Sequence, residues 1–309
     1  VSVPDAVVRV DISLTKSMMG VKGRAFVRSD VQGLFELFGL MLQKKTVVDG
    51  FTLSPSDGSI EAVGKSDPEV VNPSSRRRLP WELRRTDLRL NFFKAASTTV
   101  FDLVDPLRLS PISGTQTLRA EANSEVRAAE QKTFTGTRIT GTSYSEPVAV
   151  FFTSPDKQVK FLLSSGGAGN IGVLLNVSVD LADKKTAARE LEAEELFLGK
   201  GFSTERRENF IYNSAYEIAR DVHLLDYNRL YNLEKTAISK QNLWDLHEEA
   251  GTHLAKAKEA RQARNYGDFY RHARMAWALE SRVYPDVRGT AHDVVRGVIF
   301  YFALLLPFV

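Results

Sequence analysis

The sequence of 309 residues contains no cysteine. This absence excludes disulfides, thiol nucleophiles and metal centres held by cysteine thiolates. The formal net charge is only +3, so the chain as a whole has no strong attraction for nucleic acid. Hydrophobic residues make up 43% and charged residues 26% of the chain. These proportions are typical of a globular protein and argue against general disorder.

The two ends of the chain differ in what they lack: the start has no charged region and no apolar run, and the end has no charge. After Val1 there is neither a charged region nor an apolar run, so we expect a mature product or a fragment of a longer protein. The last thirteen residues, GVIFYFALLLPFV, contain no charge. As a helix they would cover about 20 Å of a hydrocarbon layer roughly 30 Å thick. We therefore predict a truncated transmembrane helix over residues 290–309. Its expected lipid-facing residues are Ile299, Phe300, Tyr301, Leu304, Leu305 and Leu306.

Residues 1–182 have the pattern of a β-rich domain, a sandwich or a barrel-like fold. Residues 7–12 alternate between apolar and polar types, and the runs 47–53 and 59–63 flank a turn with proline and glycine, which predicts a hairpin. Further predicted strands lie at residues 88–93, 98–104, 115–119, 133–142, 148–153, 159–163 and 171–181. One short helix is predicted over residues 30–45, with Asp30 as its N-cap. The loop at 66–80, rich in proline and serine, leaves open a division into two β modules.

Residues 183–286 have helical patterns and predict a helical hairpin that acts as a stalk. Asp183 caps a helix over 184–198, and apolar residues at three- and four-residue steps predict a long helix from Ser203 to Ala263. After a turn, Asp268 caps a second long helix that we expect to stop at Pro285. The predicted fold class is thus α+β: a β-rich domain, then a long helical hairpin, then the start of a transmembrane helix.

Two stretches resemble known binding motifs in their letters, but neither fits the structure that its motif requires. Residues 167–172 match G-x-G-x-x-G, but the residues that follow are β-branched, whereas a dinucleotide site needs a helix there. We interpret the glycines as a hairpin loop. His247 and His253 are six residues apart, which places them on different helix faces and excludes the zinc protease motif. His223, His272 and His292 are isolated in the sequence and are interpreted as surface or packing residues. The sequence therefore assigns no catalytic, cofactor-binding or metal-binding residue.

Two further groups of residues are candidates for binding. Arginines are concentrated near residue 80, and they suit phosphate or lipid headgroups, although an ordinary exposed loop is the leading interpretation. These candidates are Arg76, Arg77, Arg78, Arg84 and Arg85. Aromatic residues recur in the helical part, where they either fill the hairpin core or pack against a partner. The candidates for partner packing are Tyr227, Tyr231, Trp244 and Trp277.

The C-terminal fifty residues resemble a known class of bacterial envelope proteins. The resemblance rests on the runs AWALE (276–280), VYPD (283–286), DVVRGVIFY (293–301) and LLLPF (304–308). This region is similar to the membrane entry of FtsX-like permeases and of proteins with a carboxypeptidase-regulatory-like domain. The resemblance implies a multi-pass bacterial membrane protein with a large extracytoplasmic part and a partner ATPase. It implies no catalytic residues.

We therefore predict a non-enzymatic, extracytoplasmic interaction and coupling module of a bacterial membrane protein. Its expected partners are the lipid bilayer and other membrane-protein subunits, an ATPase among them, and not nucleic acid. The soluble part is expected in the periplasm. Arg288 and Arg296 precede the apolar run and keep a cytoplasmic placement open. Two alternatives remain: a structural accessory subunit of a larger membrane complex, and an envelope hydrolase.

Overall fold

The computed structural model describes residues 3–13, 22–36, 47–66, 89–112, 114–120, 126, 131–135, 147–164, 170–177, 199–235 and 241–305. Within these ranges the protein has an α+β fold. The chain first forms three sheets, built mainly from antiparallel strands, and then three helices. Two short strands of these sheets lie apart from the others in the sequence, just before the first helix. The predicted α+β class is confirmed.

The first sheet has five antiparallel strands in the order β2-β1-β3-β4-β5. Alternation along β1 buries Val8 and Val10, which pack with Val48 of β3. The hairpin predicted between residues 47 and 63 is confirmed, and Gly58 supplies the positive φ of 71° in its turn. The strands are β1 (Val7–Ser13), β2 (Lys22–Arg28), β3 (Val47–Leu53), β4 (Ile60–Ser66) and β5 (Leu90–Lys94).

Two four-stranded sheets complete the β part. One has the order β11-β10-β12 with β7 also paired to β10, and the other has the order β13-β6-β9-β8. β10 pairs antiparallel with β11, which confirms the hairpin predicted around the glycine motif; residues 165–169 lie outside the described ranges. The strands are β6 (Ala96–Val100), β7 (Gly114–Arg119), β8 (Gln131–Thr135), β9 (Ala149–Thr153), β10 (Gln158–Ser164), β11 (Asn170–Leu174), β12 (Phe202–Ser203) and β13 (Glu208–Ile211).

Three helices pack together, and the first and third of them also pack against β11. They are α1 (Ser214–Lys235), α2 (Gln241–Gln262) and α3 (Tyr266–Leu305). The indole Nε1 of Trp277 and the hydroxyl of Ser281, both on α3, donate to the carbonyl of Ile171 at 3.1 and 3.3 Å. Trp277 is fully buried in a core that α1, α3 and the second sheet share. These contacts place the helical part firmly against the β part.

A tight turn sets α2 and α3 antiparallel. Arg264 adopts a positive φ of 57°, and the N–H groups of Arg264 and Asn265 donate to the carbonyls of Arg261 and Ala260. This is the Schellman arrangement that ends a helix. The side chain of Asn265 then accepts the N–H of Asp268 and caps α3. The side chain of His253 on α2 consequently meets that of His272 on α3.

Several sequence-based boundaries are wrong. The predicted helix does not start at Asp30: residues 31–33 form a turn, because the Asp30 carboxylate accepts the N–H groups of Gln32 and Leu34. Residues 37–45 of that predicted helix lie outside the described ranges. The long helix predicted from Ser203 does not begin there. That part of the chain forms β12 and β13, and α1 begins only at Ser214. α3 continues through Pro285, since Tyr284 and Val287 on either side are buried and their packing overrides the proline.

The predicted membrane helix lies in the last part of α3. Among the described residues, no helix is long and apolar enough to cross a membrane. The predicted transmembrane helix is therefore not confirmed, and residues 306–309 lie outside the described ranges. The predicted helix over 184–198 also lies outside them.

Candidate metal centre

Four ionisable side chains meet at the centre of the three-helix unit. His223 and Asp226 lie three residues apart on α1, so they project from one helix face. His247 comes from α2 and Glu280 from α3. All four have a relative exposure of 0%. Burial of ionisable groups to this extent is rare unless they are paired with one another or bind an ion.

The two imidazoles converge on one carboxylate oxygen. The Nδ1 atom of His223 lies 2.6 Å from Oε1 of Glu280, and the Nδ1 atom of His247 lies 2.9 Å from the same oxygen. Only the first contact has the geometry of a hydrogen bond. The rings are stacked, with centroids 3.8 Å apart and planes inclined by 12°. One ligand atom from each of His223, His247 and Glu280 can thus be chosen so that all lie within 4.8 Å of one another.

The cluster contains two carboxylates with opposite pKa shifts. Burial alone would raise the pKa of Glu280, but the close approach of His223 and His247 outweighs it and lowers the pKa. Burial also raises the pKa of Asp226 well above its usual range. The negative charge of Glu280 adds to that rise, and Arg229 opposes it only in part. Glu280 therefore carries the negative charge of the cluster, and Asp226 tends to keep its proton.

Several polar atoms of the cluster have no hydrogen-bond partner among the described residues. They are both ring nitrogens of His247, Oε2 of Glu280 and Oδ2 of Asp226. An unsatisfied buried polar group costs about 1–3 kcal/mol. Four such atoms in one buried cluster indicate that a further group, either an ion or water, completes it.

Aromatic residues enclose the cluster on the side of α2. The rings of Tyr227 and Trp244 lie 6.1 and 5.8 Å from the ring of His247, centroid to centroid. Arg229 approaches Asp226 at 3.4 Å and covers the face of Tyr284 at 5.2 Å. These neighbours fix the orientation of the histidine and of the aspartate.

Imidazole nitrogen and carboxylate oxygen together are ligands that suit Zn²⁺ and its neighbours in the first transition row. Mg²⁺ and Ca²⁺ prefer all-oxygen sets. A fully buried site of this kind matches a closed structural centre, because a catalytic centre keeps a position open to substrate.

Comparisons with family models, with curated proteins and with solved structures return no match. The function must therefore be inferred from the site itself, and the resemblance to FtsX-like permeases stays a prediction.

The sequence-based candidates lie elsewhere or play other parts. Trp277 is fully buried against Ile171, Tyr227 and Trp244 are half-buried around the cluster, and Tyr231 is 42% exposed. The arginines at 76–78, 84 and 85 lie outside the described ranges. Of the expected lipid-facing residues, Ile299 and Phe300 are 62% and 61% exposed. Tyr301, Leu304 and Leu305 belong to α3, and Leu306 lies outside the described ranges.

Sequence reasoning keeps the histidines apart, and the structure brings four of them together in two pairs. The interpretation of His223 as an isolated residue is wrong, because its ring stacks on that of His247. His253 instead meets His272, with their Nδ1 atoms 2.8 Å apart. The sequence signal that could have indicated the cluster is the three-residue spacing of His223 and Asp226, which puts two potential ligands on one helix face.

Proposed function

We propose that this chain binds one divalent transition-metal ion, best matched by Zn²⁺, which braces α1, α2 and α3 against one another. The ligands are His223, His247 and Glu280, and Asp226 is a neighbouring buried carboxylate whose charge interacts with that of Glu280. The observation that carries this proposal is the convergence of three buried ligand atoms from three helices within 4.8 Å.

The distances within the cluster are compatible with a small adjustment on binding. Ligand atoms around a tetrahedral zinc ion, with bonds of about 2.0 Å, stand roughly 3.3 Å apart. The two imidazole nitrogens lie 2.6 and 2.9 Å from Oε1 of Glu280. An increase of about 0.5 Å, within the reach of side-chain rotation, would open the position for the ion.

The charge balance of the cluster also favours a cation. Two buried carboxylates face one guanidinium, that of Arg229, which is 28% exposed. A divalent ion would neutralise the charge of Glu280, favour release of the proton that Asp226 tends to keep, and supply the partner that the outer oxygens of Glu280 and Asp226 lack among the described residues. The ion would then stabilise the folded state, because the unfolded chain has no preformed site.

The direct test is metal content after dialysis of the whole chain against Zn²⁺, measured by elemental analysis. We expect one ion per chain, lost in His247→Ala and in Glu280→Gln. The matched control is His253→Ala, which removes another histidine from α2 without touching the cluster. Substitution by Co²⁺ provides a second reading, since the visible absorption of tetrahedral cobalt reports the ligand set even in a destabilised variant. Equal loss of zinc in His253→Ala, or a wild-type chain without zinc, would contradict the proposal.

A second function rests on the form of α3. This helix of 40 residues is fixed to β11 through Trp277 and Ser281, while its far end exposes Val298, Ile299 and Phe302. Such an element favours the coupling module expected from the sequence, in which a rigid helix links the β part to a bilayer or to a membrane-protein subunit. A role as an accessory subunit would use the same surface without movement.

Flotation with vesicles of anionic and zwitterionic phospholipid tests this second function. We expect the wild-type chain to float and the double variant Ile299→Ser/Phe302→Ser to stay in solution. The control is Met275→Ser, an exposed residue of the same helix with a relative exposure of 44%. If the wild-type chain does not float, or if the control loses binding equally, direct lipid coupling through this end of α3 is refuted.

A further inference from the structure

A groove is lined by β13 and by the residues around it. Its volume is about 640 Å³, which lies in the range of ordinary ligand pockets. The walls come from β12, from β13 with the residues around it, and from the first turns of α1. None of the four residues of the metal cluster lines it.

The backbone of β13 is open toward this groove. β13 is the first strand in the order β13-β6-β9-β8, so in the described part of the chain it is an edge strand. The carbonyls of Arg207 and Ile211 accept N–H groups from Ser97 and Phe101 and thus point toward β6. Because backbone groups alternate along a strand, the N–H and C=O groups of Glu208 and Phe210 point outward. These groups are available to a further strand.

An aromatic surface lies at the end of the same strand. The rings of Phe210 and Tyr212 stack on each other and on Phe101, with centroid distances of 5.3 to 6.4 Å. Phe210 is 48% and Tyr212 is 60% exposed. Large aromatic rings that remain this exposed beside an open edge provide a flat apolar contact for the side chains of a bound segment.

The charge of the groove is negative. Glu205, Glu208 and Glu217 line it together with Arg206 and Arg220. Arg220 is already paired with Glu217 at 2.7 Å and with the buried carboxylate of Asp221 at 2.8 Å. The remaining carboxylates therefore outweigh the single remaining guanidinium among the lining residues, and the groove is complementary to basic side chains.

We infer that this groove binds an extended basic peptide segment of a partner protein, which adds a strand to the outer edge of β13. Main-chain hydrogen bonds to Glu208 and Phe210 would supply affinity. Contacts with Phe210, Tyr212 and the carboxylates would supply selectivity. At about 3.3 Å per residue, β13 matches a segment of roughly four to six residues. The site is separate from the metal cluster and does not depend on it.

Fluorescence anisotropy with a labelled six-residue peptide of alternating lysine and valine tests this inference on the whole chain. We expect saturable binding that is weaker for the corresponding glutamate–valine peptide and that is unchanged by a chelator. Phe210→Pro removes an outward N–H while it leaves the hydrogen bonds to β6 intact, so we expect about a three- to tenfold loss of affinity. Tyr212→Ala should weaken binding by a similar factor.

The matched control is Phe26→Ala, which removes an exposed phenylalanine from β2, the edge strand of the first sheet. Circular dichroism and thermal melting identify any variant that has lost its fold, and for such a variant Glu208→Gln replaces it as the test of the charge preference. Absence of binding by the wild-type chain would overturn the inference. Equal weakening by Phe26→Ala, or equal affinity for the acidic peptide, would overturn it as well.

Discussion

Replacement of Asp226 by asparagine tests how the buried carboxylate affects the free energy of unfolding, first in the metal-free protein and then in the presence of the proposed metal ion. Burial and the charge of Glu280 raise the pKa of Asp226. At neutral pH the folded state is therefore destabilised in one of two ways. Either Asp226 is ionised and its charge is buried, or it keeps a proton that the unfolded chain releases. An asparagine side chain at this position would have the same shape and neither burden. We expect Asp226→Asn to stabilise the metal-free chain at pH 7.

The size of this effect follows from two contacts. An unpaired neutral amide costs about 1–3 kcal/mol to bury and an unpaired carboxylate oxygen costs more, so asparagine lowers the cost at the position of Oδ2, which has no hydrogen-bond partner among the described residues. Against this stands the contact with Arg229, which is 3.4 Å long and partly exposed to solvent, so it contributes about 1 kcal/mol or less. The expected gain in the free energy of unfolding is thus roughly 1–2 kcal/mol.

The pH dependence has a definite sign. A carboxyl whose pKa is raised by folding imposes no penalty below the pKa of unfolded aspartate, about 3.9. The penalty grows as the pH rises from there toward the folded pKa. The stability difference between Asp226→Asn and the wild type should therefore be smallest near pH 4 and increase toward pH 7. Glu280, whose pKa is lowered, contributes stability above the unfolded value of about 4.3 that is lost as the pH falls, in both proteins alike.

Urea unfolding with chelator and with saturating Zn²⁺ measures both parts. With zinc the advantage of Asp226→Asn should largely disappear, because loss of a carboxylate next to the ion typically weakens binding about tenfold, which corresponds to about 1.4 kcal/mol. Arg229→Gln, which removes the partner of Asp226 and leaves its carboxylate, serves as the control and should destabilise the metal-free chain. A destabilised, pH-independent Asp226→Asn in chelator would refute the electrostatic account of the cluster.

Three further changes test the packing of the helices on the β part, each by the free energy of unfolding in urea. Gly172→Ala would place a Cβ atom 2.6 Å from Cγ2 of Ile218, so we expect a loss of about 1–3 kcal/mol. Gly289→Ala meets no atom within 4 Å in the middle of α3 and should stabilise the chain by about 0.5–1 kcal/mol. A loss of stability in Gly289→Ala would show that this position is not an open helical site. Asp221→Ala removes the acceptor of the N–H groups of residues 175–177 and should cost at least about 2 kcal/mol.

Much of the β part could be predicted because its signals are local. Alternating residues and turn residues place β1, β3 and β4 within one to three residues of their observed bounds. β12 and β13 are not predicted because they are short and residues 205–207 between them are all charged, and charged residues with strong helix propensity predict a continuous helix there. Only pairing with β6 and β10, which is not local, makes them strands.

The cluster could not be predicted for a related reason. Its two histidines and Glu280 are far apart in the chain, each on a different helix. Periodicity identifies the buried face of each helix but does not tell which three helices share a core, nor in which register. The turn at Arg264 sets that register for α2 and α3, and its positive φ has no unambiguous sequence sign when the residue is arginine.

Pro285 divides α3 into two parts whose helical hydrogen bonds should open at different rates. Proline has no N–H group, so the ladder of helical hydrogen bonds is interrupted there. Before it, Phe269, Trp277 and Val283 are buried, whereas beyond Val287 the described side chains are mostly exposed. Amide exchange should therefore be slow up to Tyr284 and fast over the last turns, which can open without disturbing the buried cluster around Glu280 or β11. The distal part of α3 becomes a stiff rod only when another surface covers its apolar residues.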